Sequence, residues 1–313
     1  MYLYLNGNLL REQEAVISAS DHGFLYGAGF FETFRTYGGR PHLLEEHVRR
    51  LERACRQLDI RLGPNLLIGG PRLREEQRRP AFPCFLEAIA CLLEKNSLSD
   101  AVFRYSISGG PQPGGLPAAP YRSPTELLTI RPLPSSPPPE GVTLHLLETA
   151  RTGAEFAPRP KSTSCLNVLA AHQELRRRNT SPGDEGLMLT PEGTLAEGVT
   201  TNLFFLRNRK LKTPSTVTGI LPGVTRQSII DLARSSRIPM EESIFPLREL
   251  EQADAIFLTN SVRELIPVSQ VLAKDNCILW EGATPSHPCF LHLQSAYRST
   301  VSPLGTTGGS KSP

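Results

Sequence analysis

The chain has 313 residues and a formal net charge of +3, enough for one large domain or two of ordinary size, with most apolar surface buried unaided. Arg and Glu are mixed along it, so the small positive charge gives no reason to expect a nucleic-acid partner. No run is long enough to span a bilayer, no secretory signal stands out, and the six cysteines form neither a CxxC pair nor a zinc-spaced Cys/His cluster. A cytoplasmic chain with mostly buried thiols, no metal and no membrane association is expected.

In chain order, Met1 to Leu10 alternates and carries Asn6-Gly7, a hairpin signal. Residues 30–37 read as a strand turned by Gly38-Gly39. From Leu43 to Leu58 the apolar positions 44, 48, 51, 54, 55 and 58 give one face of a helix, with His47 expected to pack on it. A second helix is predicted over Phe85–Lys95, and a strand over Val102–Ser108. A Gly/Pro loop from Gly109 to Pro120 follows, then a strand at Leu127–Leu133. Pro134–Pro139 can neither continue a helix nor sit centrally in a sheet, which makes it the interdomain linker. The division is therefore an N-terminal α/β domain over 1–133, a linker over 134–140 and a second domain over 141–300. The Ser/Thr/Gly/Pro-rich tail 301–313 reads as disordered. The second half runs strand 141–148, helix 165–178, a hairpin around Pro191-Glu192-Gly193 and a strand at 201–206. A helix starting near Gly223–Thr225 and a strand at 255–259 complete it. The excess of Pro, clustered at 111–139 and near the C-terminus, is assigned to loops and linker.

Three stretches carry chemistry. Between Lys95 and Lys210 the only lysine is Lys161, in a chain that otherwise uses Arg for positive charge. A buried Lys can lose its proton and form an imine, whereas Arg stays charged. Scarcity in an Arg-rich composition accounts for Lys161 equally well. The segment Gly219-Ile-Leu-Pro-Gly-Val-Thr-Arg226 opens a helix whose first-turn N–H groups, with the Thr225 hydroxyl, suit a phosphate. Ordinary N-capping by Thr explains the same residues. Glu197 stands at the turn into an apolar strand, where a carboxylate could hold a pyridinium nitrogen protonated; a solvated acid beside a glycine turn is the plainer account. Gly27-Ala28-Gly29 begins like a dinucleotide fingerprint, but the last Gly is missing and a strand, not a helix, follows.

Taken together, the segments 20–35, 43–51, 161–170, 196–204, 219–226 and 257–268 resemble the fold-type IV pyridoxal-phosphate enzymes in family order. That family includes branched-chain and D-amino-acid aminotransferases and 4-amino-4-deoxychorismate lyases. The resemblance implies a two-domain α/β (α+β) architecture with pyridoxal 5′-phosphate at the domain interface. It implies a small-molecule amino substrate and a homodimer. It makes Lys161 the catalytic residue, holding the cofactor as a Schiff base, and Glu197 the acid that pairs with the pyridine nitrogen. Arg50 would grip the phosphate from the first domain. Val224, Thr225 and Ser261 would be further phosphate ligands, Leu221 would pack on the ring, and the Thr200 hydroxyl would approach the cofactor.

Departures narrow the choice within the family. Gly109-Gly110 stands where D-amino-acid aminotransferases carry an Arg for the substrate carboxylate. Phe31-Glu32-Thr33 replaces the Phe-Glu-Gly of branched-chain enzymes, and Leu166 their Tyr. Both Phe-Glu-Thr and Thr259-Asn-Ser-Val-Arg-Glu-Leu-Ile-Pro-Val268 look closer to the lyases, so 4-amino-4-deoxychorismate lyase is the expected activity and a branched-chain type transaminase the alternative. A cofactor-binding protein that has lost catalysis is opposed by the intact Lys161 and Glu197. A nucleic-acid binder is opposed by the absence of a basic stripe or aromatic platform.

Overall fold

The computed structural model describes residues 1–63, 67, 85–178 and 180–301. Most of the 62–83 loop and residues 302–313 of the tail therefore lie outside the described residues. In the N-terminal half, β1 (Tyr2–Leu5) and β2 (Asn8–Arg11) form the expected hairpin. Asn6 and Gly7 both take left-handed backbone angles, φ 50° and 77°, as a two-residue turn matched to strand twist requires. A short helix α1 (His22–Tyr26) is capped by Asp21 and ends at Gly27. Then come β3 (Gly29–Tyr37), β4 (Arg40–Pro41), α2 (Leu44–Gln57), α3 (Phe85–Lys95), β5 (Val102–Ser108) and β6 (Thr125–Arg131). The six strands form one sheet in the order β2-β1-β6-β5-β3-β4.

Strand alternation divides β3. Phe30 and Phe34 point into a core with Leu51, Cys55, Phe85, Leu92 and Phe103, and the rings of Phe34 and Phe103 stack 5.6 Å apart. Glu32 lies on the same face and is buried, a charge among aromatics that needs partners. Strand β6 starts two residues earlier than the apolar run suggests, because its pairing with β5 runs on to Ser108 opposite Thr125; the Thr125 hydroxyl donates to the buried Asp21 at 2.5 Å.

The second half carries β7 (Val142–Leu146), α4 (Leu166–Arg177), β8 (Glu185–Leu189), β9 (Leu195–Gly198), β10 (Asn202–Arg207) and β11 (Lys210–Pro214). It continues through α5 (Val224–Ser235), β12 (Met240–Ser243), α6 (Arg248–Glu251), β13 (Ala255–Asn260), β14 (Glu264–Leu272), β15 (Ile278–Glu281) and α7 (Pro288–Val301). Its sheet runs β12-β11-β10-β13-β14-β7-β8-β9, with β15 beside β14. The pairs β11/β12, β14/β7 and β7/β8 are parallel and the others antiparallel. Both faces are covered: Leu203, Phe205, Ile256 and Leu258 fill one core. Phe204, Phe257, Ile229 and Phe290 fill the other, under α5 and α7.

Two expectations need correction. Not all C-terminal prolines belong to loops, since Pro288 opens α7, where its missing N–H costs nothing. Nor are the described thiols mostly buried. Cys55 is, but Cys91, Cys165 and Cys289 are half-buried and Cys277 is exposed; all five are unpaired.

Candidate active site

The lysine segment lies between the two sheets. Phe31 N–H donates to the Lys161 carbonyl at 2.9 Å and Thr163 N–H to the Gly29 carbonyl at 2.9 Å, so β3 fixes the Lys161 backbone from the N-terminal half. The amine lies 4.8 Å from the centre of the Phe31 ring. Burial pushes it from the ordinary 10.5 down to about 8, and the Arg50 cation adds to this against Glu32 and Glu197. An amine so tuned is unprotonated far more often at neutral pH than a solvated lysine, as imine chemistry needs.

Arg50 projects from α2 and is held on two sides. Its Nε and Nη2 donate to Glu32 at 2.8 and 2.6 Å, and its Nη1 donates to the Pro222 carbonyl at 2.9 Å. His47, one helical turn earlier, donates from Nδ1 to Glu32 Oε2 at 2.7 Å. Burial opposes the Glu32 charge, yet Arg50 and His47 together hold its carboxyl down at about 2. His47 is thus more than a packing residue. Its spacing of three from Arg50 on one helix face is the signal that could have found it.

Glu197, on β9, is buried and fully partnered. Arg151 Nε donates to one oxygen at 2.7 Å, while Asn202 Nδ2 and the Leu221 N–H donate to the other at 3.1 and 3.0 Å. Burial pushes the carboxyl above its ordinary range, with Arg151 and the Leu221 N–H pulling against it. Leu221 therefore takes part through its backbone as well. Arg151 is oriented in turn by Asn167 at 2.9 Å; it lies after β7 without periodicity or motif, and nothing in the sequence singles it out.

Helix α5 begins at Val224 with Gly223 as its cap residue, and no side chain caps its first-turn N–H groups. A methyl group at Gly223 would overlap Asn202 Oδ1, so a side chain there would displace Asn202, which holds Glu197. Thr225 is buried, and its hydroxyl lies 3.3 Å from that of Ser261, on the turn after β13. Uncapped N–H groups and two converging hydroxyls, at a helix's positive end, are the donors that a phosphate needs. The structure therefore brings, from separate elements, an amine at Lys161, an acid at Glu197 and hydrogen-bond donors suited to a phosphate at Val224, Thr225 and Ser261. These residues fit pyridoxal 5′-phosphate, which needs all three.

Thr200 behaves differently from the rest. It is exposed, and its hydroxyl donates to Glu185 Oε2 at 2.9 Å, an acid that also meets Arg263 at 3.3 Å. The neighbouring Thr201 hydroxyl is buried without a partner among the described residues. Arg104 completes the surroundings of Lys161: its guanidinium lies 3.5 Å from the centre of the same Phe31 ring, and burial lowers its proton affinity. No carboxylate among the described residues pairs with it, and it reaches only the Ser106 hydroxyl, at 3.4 Å.

Residues 29–271 match the family model described as amino-transferase class IV. An aminodeoxychorismate lyase from Bacillus subtilis strain 168 is 37% identical over 271 residues, 86% of this chain and 86% of that one. The crystal structure of a branched-chain aminotransferase from the archaeon Thermoproteus uzoniensis, with norvaline, superposes with a TM-score of 0.78 at 26% identity, covering 96% of this chain and 94% of that one. The 4-amino-4-deoxychorismate lyase of Pseudomonas aeruginosa superposes with a TM-score of 0.74 at 26% identity, covering 95% and 98%.

Proposed function

The chain belongs to the amino-transferase class IV family, and within it we propose that the chain is an aminodeoxychorismate lyase, splitting 4-amino-4-deoxychorismate into 4-aminobenzoate and pyruvate. The observation that carries this choice is the 37% identity to the Bacillus lyase across 86% of both chains. The geometry beside Lys161 agrees. Both products are carboxylates, so the substrate enters with negative charge, and Arg104 offers a solvent-exposed cation without a carboxylate partner among the described residues, above the ring that Lys161 also approaches.

When bound, pyridoxal 5′-phosphate supplies an aldehyde that condenses with amines and a ring that takes up electrons from a bond broken beside it. Lys161 Nζ carries it, and then stands to take the proton from the carbon bearing the substrate's amine and to return a proton at the end. Glu197 holds the ring nitrogen's proton. Arg151, Asn202 and the Leu221 N–H fix that carboxylate in place, so no reorganisation is needed during the reaction. Val224, Thr225 and Ser261 would receive the phosphate, with Arg50 adding positive charge at the same loop, and Leu221 would pack against the ring.

The same reading makes residues 1–133 and 141–300 two domains with the cofactor between them, in a cytoplasmic homodimer whose product feeds folate biosynthesis. Phe24 and Leu166 are 78% and 77% exposed. Gly27, three residues after Phe24, lies against Ser164, two residues before Leu166, and a second copy covering this region would bury both exposed side chains.

The test is pyruvate release from aminodeoxychorismate by the purified yellow protein, followed with a coupled dehydrogenase. Steady release with no spectral response to L-glutamate or L-leucine is the expected result. Bleaching of the yellow form by L-leucine, without pyruvate release, would establish branched-chain transamination instead, the activity for which the Thermoproteus enzyme is named.

A further inference from the structure

We propose that Arg35, Tyr37 and Glu264 form an interdomain latch that positions the Ser261 turn for the cofactor's phosphate. The inference rests on the reading of Thr225 and Ser261 as the phosphate seat.

Ser261 belongs to a tight turn between β13 and β14. Asn260 Oδ1 accepts from the N–H groups of Val262 and Arg263 at 3.0 and 2.7 Å, which shapes the turn but does not locate it. Within its own half, Arg263 of the turn donates to the Gly183 carbonyl at 3.0 Å and meets Glu185 at 3.3 Å; a second hold comes from the other half of the molecule. Arg35, on the face of β3 opposite the aromatic core, donates from Nη1 to the Val262 carbonyl at 3.1 Å. Its guanidinium lies 4.3 Å from the centre of the Tyr37 ring, two residues along the same strand face. The Tyr37 hydroxyl donates to Glu264 Oε1 at 2.7 Å. Arg35 Nη1 lies 3.6 Å from that oxygen, and Arg298 Nε lies 3.3 Å from the other. Glu264 itself takes a left-handed backbone angle, φ 62°, unusual for a residue with a side chain. The Tyr37 and Arg298 contacts help hold it there.

The arrangement mirrors the one at the other side of the seat. There Arg50 reaches from the N-terminal half to the Pro222 carbonyl, two residues before the start of α5. Each phosphate-facing loop is thus pinned through a backbone carbonyl by an arginine of the N-terminal half. β3 and α2 thus each brace one side of the Thr225–Ser261 pair. Without the Arg35 bond, the Ser261 hydroxyl keeps its own turn, the Arg263 contacts and the 3.3 Å approach of Thr225, and a phosphate must supply more of the ordering on binding.

The experiment compares the full-length protein with Arg35→Met and Tyr37→Phe, each freed of cofactor. Affinity is titrated by fluorescence for pyridoxal 5′-phosphate and, in parallel, for pyridoxal without the phosphate. Loss of one charge-assisted hydrogen bond corresponds to about tenfold in affinity. Arg35→Met is expected to weaken the phosphorylated ligand by about that factor and to leave pyridoxal unchanged. Tyr37→Phe, which keeps the ring under Arg35, is expected to give a smaller loss of the same selectivity, with melting close to that of the parent. Equal weakening of both ligands, or undiminished affinity for the phosphorylated one in folded variants, would overturn the latch. A parent protein that binds both ligands equally would overturn the phosphate seat itself, and the latch with it.

Discussion

Replacing Lys161 by Met should abolish turnover and, at the same time, make the cofactor-free protein more stable at neutral pH. The amine is brought from its ordinary 10.5 down to about 8, burial being the main cause. At 1.36 kcal/mol per tenfold change in proton affinity, holding the ammonium in the native state costs about 3 kcal/mol. Between pH 8 and 10.5 the unfolded chain binds more protons at this group than the native one, so stability rises with pH there. The cost is fully present below about 8 and gone above 10.5. Methionine matches the length of the buried stem and carries no charge. Urea unfolding of both apo proteins, followed by far-UV circular dichroism at pH 7, 9 and 10.5, measures the difference. The variant should be more stable by about 3 kcal/mol at pH 7, with the gap closing as pH reaches 10.5. An unchanged or less stable variant at pH 7, or a gap that does not respond to pH, would refute a desolvated lysine at this position.

Three further outcomes follow from the same contacts. Glu32→Gln should cost about 3 kcal/mol at pH 7, since the charge contribution is complete above 4.5 and lost as pH falls through about 2; denaturation at pH 7 and pH 3 should show the deficit shrinking on acidification. Glu197→Gln should lower turnover by about a hundredfold or more while cofactor stays bound, because a fixed partner of the ring nitrogen is removed; steady-state rates alongside the absorbance spectrum check both halves of that statement. Arg104→Leu should raise KM for the anionic substrate by about tenfold with a smaller effect on kcat, as loss of a charged anchor predicts.

The parts of this molecule that sequence reveals are those whose physics is local. The Asn6-Gly7 turn, the α2 stripe and α3 all follow from backbone preference and apolar spacing. The start of α5 is visible for the same reason, as glycine, then Val and Thr, before an apolar repeat. By contrast β14 is a central strand that contains Pro267 and shifts register between Val268 and Gln270, and proline argues against such a strand when only the sequence is read. The site divides along the same line. Lys161 and Glu197 sit in segments with recognisable order, whereas Arg151 and Arg104 matter only because the fold carries them to a carboxylate and to an aromatic ring far away in sequence. Glu32 is intermediate: an acid at an inward position of an aromatic strand announces a buried charge, but not which cations meet it.

The charges gathered at the interface explain why neither half could provide this site alone. Lys161, Arg50 and Arg151 bring three positive groups, and Glu32 and Glu197 two negative ones. Burying any one of these without a partner would cost several kcal/mol. Glu32 and Arg50 pair within the N-terminal half, and Glu197 and Arg151 within the C-terminal half, so each half carries its own neutral couple to the boundary. Lys161 and the neighbouring Arg104 are the cations left over; Arg104 stays in contact with solvent, and burial meets Lys161 by weakening its hold on the proton. A dianionic phosphate bound at α5 would complete the balance from the opposite side. Cofactor affinity and the packing of the two halves are then one electrostatic problem, in which residues that never touch the reacting carbon decide how readily Lys161 becomes a nucleophile.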